Sequence, residues 1–246
     1  MTDLAALLKD EVRGPHPYRR PSDAATLILV DRSGSTPKVL LGRRHQRHAF
    51  MPGKFVFPGG RVEASDRYAK VAAPLDLHAQ SKLMARVQRA NPVKARALAL
   101  AAIRETYEET GLLLGTHENL AGRAGKLLAS SAWKAFGEAG VMPDLATISF
   151  VARAITPPGR TRRFDTRFFT ADASAIAHRV EGMVGEESEL VEIVWIPIDE
   201  SQHLDLPGIT RRVLQELQNR IAAGFSQDLP VPFFYTRGDK MVRDTL

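Results

Sequence analysis

The chain has 246 residues, 44% hydrophobic and 25% charged, with 18 Gly, 15 Pro and no Cys. Those proportions suit an ordinary globular protein rather than a disordered, fibrous or membrane-embedded one, and the missing cysteines exclude a disulfide scaffold, thiolate metal sites and thiol catalysis. A formal charge of +6 favours anionic partners without choosing among nucleic acid, phosphorylated metabolites and acidic surfaces.

The opening stretch MTDLAALLKDEV mixes charges into its apolar residues and does not read as a signal peptide. The longest apolar runs, Ala24–Val30 and Ala97–Ile103, are too short to span a bilayer. No membrane association is expected, and the location expected is cytoplasmic.

Residues 1–20, ending in Pro15, Pro17 and Arg19-Arg20, read as a lead-in. Ala24–Asp31 is an aliphatic run closed by the turn Arg32-Ser33-Gly34-Ser35, and Lys38–Gly42 is its hairpin partner. A basic loop, Arg43–Lys54, precedes a short strand Phe55–Phe57 that is broken by Pro58-Gly59-Gly60. From Arg61 to Asn91 the pattern is polar and helical, anchored by Leu77, Met84 and Val87. Pro92 suits a first helical turn, Val93–Thr110 is rich in helix formers, and Gly111 is placed as a C-cap.

Leu112–Leu114 leads out of that helix. A second helix is expected over Ser130–Gly140, and strands over Thr147–Ala154, Arg163–Thr170 and Leu190–Ile198. Ile209, Val213, Leu214, Leu217 and Ile221 mark a final amphipathic helix ended by Gly224. The expectation is one mixed α/β domain over 1–246, its core at about 20–225, with a helical insertion near 67–92.

The most informative stretch is Arg104-Glu105-Thr106-Tyr107-Glu108-Glu109-Thr110-Gly111-Leu112. On a helix, Glu105, Glu108 and Glu109 share an arc of about 100°, opposite Leu100, Ile103 and Tyr107. Two local rules are broken there. Glu105 and Glu109 are like charges four residues apart, and Glu108 and Glu109 sit in a last turn where the helix dipole disfavours anions. No Lys lies on the arc, and Arg104 only borders it. A divalent cation would account for carboxylates in so poor a place, and oxygen-only ligands point to Mg²⁺ or Mn²⁺.

Upstream, Phe57-Pro58-Gly59-Gly60-Arg61-Val62-Glu63-Ala64-Ser65-Asp66 runs a strand into a tight glycine turn. The two segments together resemble a Nudix box, which is a glycine, five residues, Glu, seven residues, then Arg-Glu-aliphatic-x-Glu-Glu-x-Gly-aliphatic. Three departures stand out: Asp66 replaces the first Glu, Thr106 replaces an aliphatic residue, and 37 residues separate Asp66 from Arg104. A long insert at this point is similar to that of a Nudix subgroup that includes the peroxisomal coenzyme A diphosphatases. Phe50-Met51-Pro52 and Arg163-Phe164-Asp165-Thr166-Arg167-Phe168-Phe169 add to the likeness.

The resemblance implies an α/β/α sandwich with a mixed sheet, and a hydrolase that cleaves the diphosphate of a nucleoside diphosphate conjugate. It implies that Glu105, Glu108 and Glu109 hold Mg²⁺ or Mn²⁺ with a carbonyl of Gly59 or Gly60, and that Arg104 pairs with a neighbouring carboxylate such as Asp66. The general base is not set by the box; Glu186, Glu187 and Glu189 are the distant candidates, with Glu187 the one taken. Arg43, Arg44 and Arg163 are candidate phosphate contacts, since arginine grips phosphate bidentately. The expected substrate is a small CoA-like nucleotide; ADP-ribose, NADH, capped RNA ends, or a nucleotide sensed without cleavage are the rivals. Against CoA, Leu40-Leu41-Gly42-Arg43-Arg44 stands where CoA-cleaving relatives carry a further signature. Nucleic acid is not an expected partner, and a homodimer is compatible with the resemblance.

Overall fold

The computed structural model describes residues 14–48, 51–117, 131–226, 228–238 and 240–246. Its organising element is β1 (Ser22–Asp31), whose continuous apolar run is buried from Ala24 to Val30 apart from half-buried Thr26. A strand apolar on every residue needs cover on both faces. Leu27 and Leu29 enter one core, and Ile28 and Val30 the other.

β2 (Lys38–Arg44) pairs antiparallel with the far end of β1, while β3 (Phe55–Val56) pairs with β2. β4 (Gly59–Arg61) pairs with the near end of β1, from Ala24↔Arg61 to Thr26↔Gly59. β1 thus changes partner midway, and this seats the glycine turn in the sheet. After a 3₁₀ turn at Ser65–Arg67 come α1 (Leu77–Met84) and α2 (Pro92–Thr110).

β5 (Leu112–Leu114), β6 (Thr116–His117), α3 (Ser131–Glu138) and β7 (Val141–Met142) follow. β8 (Ile148–Ile155) and β9 (Phe164–Asp172) form an antiparallel pair, and β9 lies parallel to β1 over nine positions, from Ser22↔Phe164 to Val30↔Asp172. β10 (Ile176–Arg179) pairs with β5, and β11 (Leu190–Pro197) with β2. Last come α4 (Gly208–Ala222), β12 (Pro232–Arg237) and β13 (Lys240–Thr245). The main sheet runs β11-β2-β1-β9-β8-β12-β13. α2 and α3 cover one face through Leu98, Ile103, Trp133 and Phe136, and α4 covers the other through Val213, Leu214 and Leu217. The α/β/α layering with a mixed sheet is the expected one.

Three expectations are corrected. The stretch 61–91 is helical only at the 3₁₀ turn and α1; Arg86 and Arg89 adopt positive φ, which ends regular helix there. The insertion is anchored in the fold, with Ala69, Leu75, Ala79 and Leu83 in the α2-side core. α4 does not close the fold, because β12 and β13 extend the sheet beyond it; Phe233 and Phe234 pair with Arg153 and Ala154 of β8. β2 also runs on to Arg44, so Arg43 and Arg44 are strand residues rather than loop. Phe50 and Ser130 lie outside the described residues.

α2 starts and stops as its sequence dictates. The Asn91 side chain accepts the Lys94 amide at the N-cap, Pro92 opens the first turn, and Gly111 caps at φ 76°. A Cβ on Gly111 would lie 2.1 Å from the Val180 carbonyl oxygen. Gly111→Ala is therefore expected to destabilise by at least about 2 kcal/mol, from left-handed strain plus the clash, and to lower Tm in thermal unfolding by roughly 5 °C.

Candidate active site

Arg104 sits on the C-terminal half of α2 and is 1% exposed. All of its donors are used. Nε and Nη2 grip Asp66 at 2.8 and 3.1 Å, and Nη2 also donates to the Arg61 carbonyl at 2.8 Å. Nη1 donates to Glu105 at 2.9 Å and to Glu108 at 2.6 Å. Asp66 is fully buried, and its Oδ2 also accepts the Glu63 amide at 2.8 Å. The two halves of the interrupted motif are thus joined through one guanidinium. Arg104 does more than border the acidic arc, contrary to the wheel reading, because its long side chain folds back over two of the three glutamates.

Glu105 and Glu109 turn inward to the glycine turn. A Cβ on Gly60 would fall 2.5 Å from the Glu105 carboxylate, so only glycine lets that glutamate lie against the backbone. A Cβ on Gly59 would meet Thr26 Oγ1 at 2.4 Å. Glu109 Oε2 accepts the Gly59 amide at 3.2 Å. The Gly59 contact shown is therefore its N–H to Glu109; the carbonyl remains a candidate ligand.

Burial is the dominant force on these groups. It pushes the Glu105 carboxyl up to about 7, against the lowering pull of Arg104. Glu109, about 5% exposed, is pushed well above the ordinary carboxylate range by burial, with Arg44 opposing and Glu189 and Glu105 adding to the rise. Glu108, half exposed at the rim, is also raised by burial. Burial works against the Arg104 charge as well, but Asp66, Glu105 and Glu108 together hold its pKa above its usual value.

A second cation approaches from the sheet. Arg44 Nη1 donates to Glu189 at 2.8 Å and Nη2 lies 4.0 Å from Glu109 Oε1. His48 Nε2 is 3.2 Å from the same Glu189 oxygen. Glu189 therefore stands beside the box, near enough to raise Glu105 and Glu109.

The remaining candidates are placed elsewhere. Glu187 is exposed on the turn ahead of β11. Arg43 is half exposed and bonds Glu192 at 2.8 Å across the β2–β11 pair. Arg163 is buried just ahead of β9, donating to the carbonyls of Thr156 and Arg19. It shares a cleft with Lys94, eleven residues before Glu105 on α2, or about 16 Å along the helix. The sequence gives no hint of the Arg44–His48–Glu189 group beyond the residues themselves, because only the β2–β11 register brings Glu189 to Arg44.

Among the described residues no three Asp, Glu or His side chains stand together as a ready ligand set; Arg104 Nη1 lies between Glu105 and Glu108. The donors fit a hard divalent cation all the same. They are oxygens only, burial makes their charge costly, and Glu109 Oε1 is buried without a hydrogen-bond partner.

Two outcomes are expected. Arg104→Met leaves Asp66 buried and unpaired, and should destabilise by about 3–5 kcal/mol, lowering Tm by roughly 10 °C. Glu109→Gln should do the opposite in metal-free protein. A carboxyl raised in the folded state contributes stability at low pH that is lost as pH rises above 4.5. The variant's advantage should therefore grow with pH, reaching about 1–2 kcal/mol at pH 8 in thermal unfolding with a chelator present.

No family model matches the chain. The chain is 27% identical to an acyl-coenzyme A diphosphatase of Xenopus laevis, over 63% of this chain and 52% of that protein. It thus spans about half the length of that curated relative. The solved structure of a Nudix hydrolase from Alicyclobacillus acidocaldarius is 27% identical and superposes at a TM-score of 0.57, covering 80% of this chain and 90% of that one. With its split box closed by Arg104 and Asp66, the chain has the Nudix fold and resembles the Nudix hydrolases.

Proposed function

We propose that the protein is a divalent-cation-dependent hydrolase that cleaves the diphosphate of a nucleoside diphosphate conjugate, with CoA or acyl-CoA as substrate and 3′,5′-ADP and (acyl-)4′-phosphopantetheine as products. The observation that carries the reaction is Glu105 and Glu109 drawn against the glycine turn with Glu108 beside them on Arg104, one buried oxygen of Glu109 lacking a hydrogen-bond partner. The likeness to the acyl-coenzyme A diphosphatase supports the substrate class.

Glu105, Glu108, Glu109 and the Gly59 carbonyl would hold Mg²⁺ or Mn²⁺, which supplies charge neutralisation for the diphosphate and a lowered pKa for water. Arg104 holds the rotamers of Glu105 and Glu108 and keeps the two box segments in register. Arg44 orients Glu189. Of the three acidic residues ahead of β11, Glu189 is the one whose position suits proton acceptance; Glu187 has no contact with the box among the described residues. Arg43, half exposed on the adjoining strand, is the candidate for gripping the outgoing phosphate.

A hydrolysis panel tests the reading. It comprises CoA, short and long acyl-CoAs, ADP-ribose, NADH and a capped RNA, with Mg²⁺ and with Mn²⁺, products resolved by chromatography. Release of 3′,5′-ADP from CoA or acyl-CoA is expected. Glu108→Gln and Glu189→Gln should lower kcat by about 10²–10⁴, with Glu187→Gln within about twofold of wild type. Rapid cleavage of another compound with CoA left intact would replace the substrate class, and tight nucleotide binding without turnover of any compound would replace the enzyme with a sensor.

A further inference from the structure

A second concave site lies away from the box. Its cleft measures about 580 Å³, the size of a small-ligand pocket. One wall is the segment at residues 14–21, laid along the β8–β9 connection. Gly14 N–H donates to the Pro158 carbonyl and His16 N–H to the Gly159 carbonyl, both at 2.9 Å. The Arg163 guanidinium lies 5.0 Å from the Tyr18 ring centre and donates to the Arg19 carbonyl. The opposite wall comes from β12 and from the end of the insertion at Arg86.

The charge in and behind this cleft is unbalanced. Lys94 pairs with Asp23, Arg153 and Arg167 share Asp165, and Arg86 pairs with Asp244. Arg20 has no ion pair among the described residues, and the Arg163 partners are carbonyl oxygens that leave its charge uncompensated. Thr236 Oγ1, in the cleft wall, is buried without a hydrogen-bond partner. Tyr18 is 73% exposed despite its ring contact with Arg163, so one ring face is open. A solvated basic surface would need neither Arg153 and Arg163 buried in its wall nor an orphaned hydroxyl.

We propose that this cleft is a ligand site separate from the box and takes a nucleoside phosphate. The phosphate is gripped by Arg20 and Arg163 and the base is stacked on Tyr18. Bidentate, charge-assisted contacts from arginine suit phosphate, and a base on an exposed tyrosine face adds sequence-tolerant stacking. The site needs no divalent cation and does not depend on the hydrolase reading.

The test is calorimetric titration of the full chain with ADP in the presence of EDTA, with adenosine and inorganic phosphate as separate probes. One ADP per chain should bind, more weakly as salt rises, and more tightly than either probe. Arg20→Ala and Tyr18→Ala alter exposed side chains and should each weaken ADP by about tenfold, while Glu108→Gln leaves it unchanged. Absence of ADP binding at millimolar concentration, or binding insensitive to both cleft variants, would overturn the site. Inorganic phosphate binding as tightly as ADP would overturn the nucleoside part.

Discussion

The structure turns on the buried pair between Arg104 and Asp66. The residues are far apart in sequence, yet the guanidinium grips both carboxylate oxygens and reaches two glutamates and the Arg61 carbonyl besides. A buried charge pair is tolerated only when every donor and lone pair is used, and here each Arg104 donor has a partner. This explains how an insertion can enter the motif without dispersing it. The insertion leaves after Asp66 and returns at the α2 N-cap, and the pair ties its point of departure to the C-terminal half of α2.

The remaining carboxylates show a site assembled against local stability. Two glutamates at the end of α2 have no basic residue in the last turn to offset the helix dipole. Burial then raises Glu105, Glu108 and Glu109 together. Arg104 and Arg44 relieve part of this, and a Glu109 oxygen is left without a hydrogen bond. Such disagreement between a helix's own preferences and its surroundings is characteristic of functional residues.

The legible parts of the sequence were those governed by near neighbours. Asn91, Pro92 and Gly111 delimit α2 because capping depends on residues within one turn. β1 reads as a strand because its aliphatic run is closed by a local turn. Gly59-Gly60 and the glutamates declare themselves by spacing. β12 and β13 were not legible, since Phe233 and Phe234 gain their meaning from parallel pairing with β8 some eighty residues earlier. The polar run at 61–91 misled for the opposite reason: its helix-forming composition is overridden by Arg86 and Arg89 in positive φ and by the anchoring of Leu75 and Leu83 in the core.

The sequence by itself determined the chemical inventory: oxygen ligands without thiols, three glutamates on one helical arc, a glycine turn, and an acidic residue six positions after Gly60 to meet an arginine. Tertiary structure alone decided who meets whom. The β2–β11 register delivers Glu189 to Arg44 and leaves Glu187 outside, and the parallel β1–β9 pairing carries Arg163 to a different cleft. The reason is physical. Local spacing sets which side chains share a face of one element, whereas contact between elements follows from sheet register and burial, which depend on the whole chain.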